Sequence, residues 1–165
     1  MFFLWTYTRR IYSNQEGDVE GQTDKEWDRL ANVWALGAYL QATDFKDAIT
    51  DAIIEKALTD SVYQTMHAII NAKSVEGAPI RRLIVDIAAT RWDTETLKAQ
   101  QNDPVWSDFF RDLSIALMAG RPSSVLERAR WEYDHCAYHE HRDLNTPCYR
   151  TKPGLPGGGA GVSTP

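Results

Sequence analysis

Cysteine and histidine are the side chains that bind zinc or carry redox chemistry. This 165-residue chain gathers nearly all of them in one place. Both cysteines and three of the four histidines fall between His135 and Cys148. Cys136, His139, His141 and Cys148 follow the spacing C-x2-H-x-H-x6-C. Two thiolates and two neutral imidazoles suit a tetrahedral zinc ion. The loop at 143–147, with Pro147, can turn the chain so that Cys148 meets the first ligands. The spacing is not one of the standard zinc-finger patterns, and His135 is a fifth candidate donor. Three other readings stay open. The cluster can be incidental, with a solvated tail or a packed cysteine. It can form a Cys136–Cys148 disulfide, which a reducing cell disfavours. It can hold a nucleophilic Cys–His pair, although no third orienting group is identifiable.

Other chemistry is sparse. Arg81 and Arg82 follow Pro79, and Asp86 lies in the apolar run Leu83, Ile84, Val85, Ile87. A buried carboxylate needs a partner, so the expectation is a structural ion pair between Asp86 and an arginine. His67 reads as a helix-surface or satisfied core histidine. No Gly-x-Ser-x-Gly, HExxH or Walker pattern occurs, and the Gly157–Gly161 run has no strand before it or helix after it.

The elements that must position the cluster are helical. Apolar residues at three- and four-residue spacing predict a helix from Thr23 or Asp24 to about Gln41, with Trp27, Leu30, Ala31, Trp34 and Ala38 on its face. Val33, Leu36, Tyr39 and Leu40 widen that face, so burial over much of the circumference is expected. A second helix starts at Thr43 or Asp44 and carries Phe45, Ala48, Ile49, Ala52, Ile53 and Leu58 inward. The short connection predicts a tight hairpin. A third runs from about Ser61 to Asn71, with Val62, Met66, Ile69 and Ile70 inward. Pro79 suits the first turn of a fourth, which buries Ile80, Leu83, Ile84, Ile87 and Ala88. A short helix is expected near 94–101. A sixth opens at Pro104, carries Val105, Trp106, Phe109, Phe110, Leu113, Leu117 and Met118, and ends at Gly120. Residues 122–133 read as a continuing polar helix. No strand signal follows residue 12.

The first twelve residues, with Phe2, Phe3, Leu4, Trp5, Tyr7, Ile11 and Tyr12, are too apolar for a free terminus and should pack on something. The chain is expected to start inside a structural unit. The domain reading is 1–22 as an apolar opening and polar loop, 23–133 as a helical domain, 134–150 as a Cys/His-rich terminal segment, and 151–165 as a disordered Gly/Pro-rich tail.

Composition narrows the function classes. Eighteen basic and 23 acidic residues give a net charge of −5. This argues against direct nucleic-acid binding and against an anionic membrane surface as partner. Two cysteines cannot build a secreted disulfide framework, and no apolar run reaches the roughly 20 residues of a membrane span. The expected home is intracellular, cytoplasmic or nuclear.

Four stretches, in order, resemble fungal BTB/POZ domain-containing proteins. They are the opening from Leu4 to Tyr12, the segment Trp34–Ile54, the segment Ala78–Asp86, and the ending Cys136–His141 with Pro147, Cys148 and Tyr149. The resemblance implies the C-terminal part of a BTB/POZ domain followed by further helices: a mainly α bundle of about six helices, with the N-terminal core missing, so that residues 1–22 hold a remnant of the BTB core and a polar loop, as in a truncated gene model, a fragment or a divergent remnant. It also implies a non-enzymatic protein–protein interaction module, an adaptor or scaffold. Homo- or hetero-oligomers or a cullin-type ligase are the partners it implies, and any role in transcription would run through partners. No catalytic residues carry over. Arg9 stands where the family often has Gly, so a different turn is expected there. The alternative is a small metal- or thiol-dependent enzyme built on the Cys/His cluster. A cleft lined by the cluster would favour that reading, and a closed four-ligand site would count against it.

Overall fold

A computed structural model describes residues 1–13, 25–59, 66–99, 107–119 and 128–152. Among these the chain is mainly helical and has no strand. Eight α-helices occur in the order α1 (Phe2–Thr8), α2 (Lys25–Tyr39), α3 (Thr43–Thr59), α4 (Met66–Lys73), α5 (Pro79–Arg91), α6 (Thr94–Ala99), α7 (Ser107–Met118) and α8 (Glu140–Asp143). Three single-turn 3-10 helices, Arg130–Glu132, His135–Tyr138 and Tyr149–Thr151, flank α8.

Helices α2 and α3 form the expected hairpin. Gln41 takes a left-handed conformation (φ 53°) at its tip. Gly37 allows the close approach: a Cβ there would lie 2.8 Å from Lys46 Cγ and 3.1 Å from a Phe45 ring carbon. Trp27, Leu30, Ala31 and Trp34 are buried as their periodicity predicts. Val33 packs partly against the core, but Leu36, Tyr39 and Leu40 at the hairpin end of α2 are exposed, so the wider face expected of α2 is only partly present. Leu58, in the last turn of α3, is exposed.

Pro79 opens α5 after Gly77 (φ 75°), and Ile80, Leu83, Ile84, Ile87 and Ala88 face inward. Phe109 and Leu113 of α7 are buried against it, while Met118 is fully outward at the last turn. His67 is a core residue. Its ring meets Trp92 edge-on at 4.9 Å and Phe109 at 4.7 Å between centroids.

Two segments differ from their sequence reading. Residues 2–8 form a helix that seats Phe2 and Trp5 on the Phe45 ring, at 4.9 and 5.0 Å between centroids. Phe3, Leu4 and Tyr7, expected to pack, are exposed. Arg9 ends α1 in the left-handed region (φ 55°, ψ 21°) that glycine favours, with its guanidinium 4.5 Å from the Trp5 ring centroid. The polar helix expected over 122–133 does not extend through 128–133. There the chain makes one 3-10 turn that buries Trp131 completely, with its indole N–H donating to Thr90 Oγ1 at 3.1 Å. The caps at Thr23 and Asp24, Val62, Pro104, Val105, Trp106, Gly120 and the Gly/Pro-rich tail from 153 lie outside the described residues.

Candidate metal centre

Helix α3 is buried on both sides. Every residue from Phe45 to Asp51 is buried. One side carries Phe45, Ile49 and Ile53 into the apolar core. The other carries Asp44, Asp47 and Asp51, three and four residues apart and therefore on one face of a helix. A carboxylate so placed must find donors, and the terminal segment supplies them.

Lys152 Nζ donates to both oxygens of Asp44 at 2.7 Å. Asp47 accepts the backbone N–H of Glu140 at 2.7 Å and of His141 at 3.3 Å, and its second oxygen lies 2.8 Å from His141 Nδ1. Asp51 lies 2.9 Å from His139 Nε2 and 2.8 Å from the Arg150 guanidinium, and it accepts the Tyr149 hydroxyl. Lys46, on the same helix, pairs with Glu140. The segment is anchored to α5 as well, where the Tyr138 hydroxyl donates to Asp86 at 2.6 Å.

These contacts bring the four predicted ligands together. One donor atom from each of Cys136, His139, His141 and Cys148 lies within 4.8 Å of the others. The two Sγ atoms are 3.9 Å apart, and both cysteines are free. That separation is far from the roughly 2.05 Å of a disulfide. It is close to the edge of about 3.8 Å that two sulfurs make on a tetrahedral ion with bonds of about 2.3 Å. Each histidine turns one nitrogen to a buried aspartate, which fixes the tautomer and leaves the other nitrogen for a ligand. For His139 the free nitrogen is Nδ1, which is buried and has no hydrogen-bond partner. A buried imidazole nitrogen without a hydrogen-bond partner, on a histidine grouped with two sulfurs and a second imidazole, fits a soft divalent cation. His135, the fifth candidate, lies outside the group. Its Nδ1 is 3.3 Å from Asp51 Oδ1 and 3.4 Å from the Arg150 guanidinium.

Electrostatics follow the contacts. Burial alone would raise the Asp51 carboxyl, but His139, the Tyr149 hydroxyl and Arg150 together hold it below the usual carboxylate range. Burial and the neighbouring Cys148 push the Cys136 thiol up to about 11. Asp86 is raised by burial, offset in part by Tyr138 and by the charges of Arg130 and Arg82.

The expected Asp86–arginine pair is corrected: its hydrogen-bond partner is Tyr138. Arg81 instead closes the C-terminal end of α4, donating to Asn71 O at 2.5 Å, Ser74 O at 2.6 Å and Ser74 Oγ at 2.8 Å. The planar guanidinium fork matches these clustered acceptors. Arg82 reaches Gly77 O at 3.2 Å and lies 3.9 Å from Asp143.

Sequence reasoning missed Asp47, Asp51 and Tyr149. The available signal was the 44, 47, 51 acidic spacing inside an otherwise apolar helix. A cleft of about 600 Å³ lies beyond Asp51 and Tyr149, bounded also by Arg9, Tyr12, Glu55 and Lys56. None of the four candidate ligands lines it. Among the described residues no helix is long and apolar enough to cross a membrane. Comparison with protein-family profiles, curated proteins and solved structures gave no match to this chain.

Proposed function

We propose that this chain is a non-enzymatic protein-interaction module, an adaptor or scaffold, whose terminal segment is fastened to α3 by one structural zinc ion. The observation that carries the metal half is the four-donor group, with each histidine held by its own buried aspartate. Cys136, His139, His141 and Cys148 would hold the ion, which would supply a cross-link between single-turn elements too short to be stable alone. Four protein donors fill a tetrahedral shell. A catalytic zinc instead keeps a position for water or substrate, and the nearby cleft is not lined by the donors. Both points weigh against the enzyme reading.

The interaction half rests on the BTB/POZ-like stretches and on the aromatic surface of α1, where Phe3 and Tyr7 are largely exposed. Protein partners, oligomers and an intracellular setting belong to the same proposal. Native mass spectrometry of the purified chain, before and after a chelator, tests it. A mass excess of one zinc, lost in Cys136→Ser, is expected, and the same spectrum reads the oligomer. A metal-free chain that takes up no added zinc would refute the metal half, and a metal-loaded chain that turns over a small-molecule substrate at the site would refute the non-enzymatic half.

A further inference from the structure

We propose that the Cys136–Cys148 pair makes the metal centre a redox switch, in which a hydroperoxide converts the two ligand sulfurs into a disulfide and so releases the ion. The inference rests on the zinc reading above and adds its regulation. The geometry points to it in three ways. The sulfurs are 3.9 Å apart, so each must move only about 1 Å to reach bonding distance. They occupy the accessible edge of the site: both cysteines are half-buried, whereas His139 and His141 are buried. Both cysteines lie in or next to single-turn elements, Cys136 within one 3-10 turn and Cys148 as the residue before another, where small backbone adjustments disturb no long helix.

The steps balance. One ligand thiolate attacks the hydroperoxide; an S–O bond forms, the O–O bond breaks, and the departing oxygen takes a proton from solvent and leaves as water or an alcohol. The second thiolate attacks the resulting sulfenic sulfur; the S–S bond forms, and the hydroxyl leaves with a second proton as water. The two sulfurs lose two electrons, and the peroxide gains them. The ion, left with only His139 and His141 as protein ligands, would pass to solvent. A dithiol reductant reverses the change and lets zinc return.

The test uses the full zinc-loaded chain, titrated with hydrogen peroxide. Released zinc is read by a chromogenic chelator, and the covalent state by intact mass and peptide mapping. Expected are release of one zinc per chain, a mass loss of two hydrogens, a linked Cys136–Cys148 peptide, and full recovery of bound zinc after dithiothreitol and zinc are added. Cys148→Ser, if it folds, should gain oxygen without forming a link. Retention of zinc at peroxide levels that oxidise a small free thiol would overturn the switch and leave the metal reading standing. Zinc loss with added oxygen atoms and no link would do the same. A chain that binds no zinc at the outset would overturn the metal reading, and the switch with it.

Discussion

The helical core and the terminal segment are held by different physics, and α3 serves both. On one side of α3, Phe45, Ile49 and Ile53 join Trp27, Leu30 and Trp34 in an apolar core, where non-directional burial dominates. On the other side, Asp44, Asp47 and Asp51 take directed bonds from a segment made of single turns. Burial tolerates imprecision in register. A ladder of carboxylates does not, because each unmatched acid costs the desolvation of a charge. The core therefore sets the shape, and the aspartates set where the terminal segment sits and how its histidines point.

Chelation should separate the two regions most sharply. Structural zinc in small peptides contributes on the order of 10 kcal/mol or more. Its removal should abolish amide protection over 130–152 in hydrogen exchange while α2, α3 and α5 stay protected. Simultaneous loss across the whole chain would mean that the regions are one cooperative unit. Trp34→Ala tests the converse. It should cost about 3–5 kcal/mol in chemical denaturation without changing zinc stoichiometry at low denaturant. A loss below about 1 kcal/mol would refute the buried-hairpin assignment. Asp47→Asn keeps the shape but weakens the hold on His141. Metal affinity should fall by about 10- to 100-fold, read by competition with a chelator, and unchanged affinity would show that Asp47 has no orienting role.

The smallest effects concern pH, and their signs differ. The Asp51 carboxyl lies below its unfolded value. Its stabilisation is therefore present above about pH 4 and is lost as pH falls through its folded value. Asp86 is raised, so the native chain holds the extra proton between about pH 4 and the folded value. Its contribution to stability thus declines as pH rises through that window. Asp86→Asn should flatten that part of the stability profile. A profile unchanged in Asp86→Asn would show that the carboxyl does not titrate on unfolding.

The core was legible because its apolar residues repeat every three or four positions over α2, α3, α5 and α7. Helix α1 was not: aromatics at 2, 3, 5 and 7 mark no single face, and only Phe2 and Trp5 find the core. The four donors were legible from residue type alone, yet nothing in their spacing revealed what would aim them. Single turns are too short to show a period, and an acid in a helix ordinarily signals solvent. The Asp86 partner was misassigned because a guanidinium four or five residues away in sequence was preferred over a phenol 52 residues away that the fold delivers.

The most direct test of the terminal fastening is zinc-edge X-ray absorption on the purified, zinc-loaded chain. A first shell of two sulfurs at about 2.3 Å and two imidazole nitrogens at about 2.0 Å is the expected result. A shell rich in oxygen, or one lacking sulfur, would contradict it.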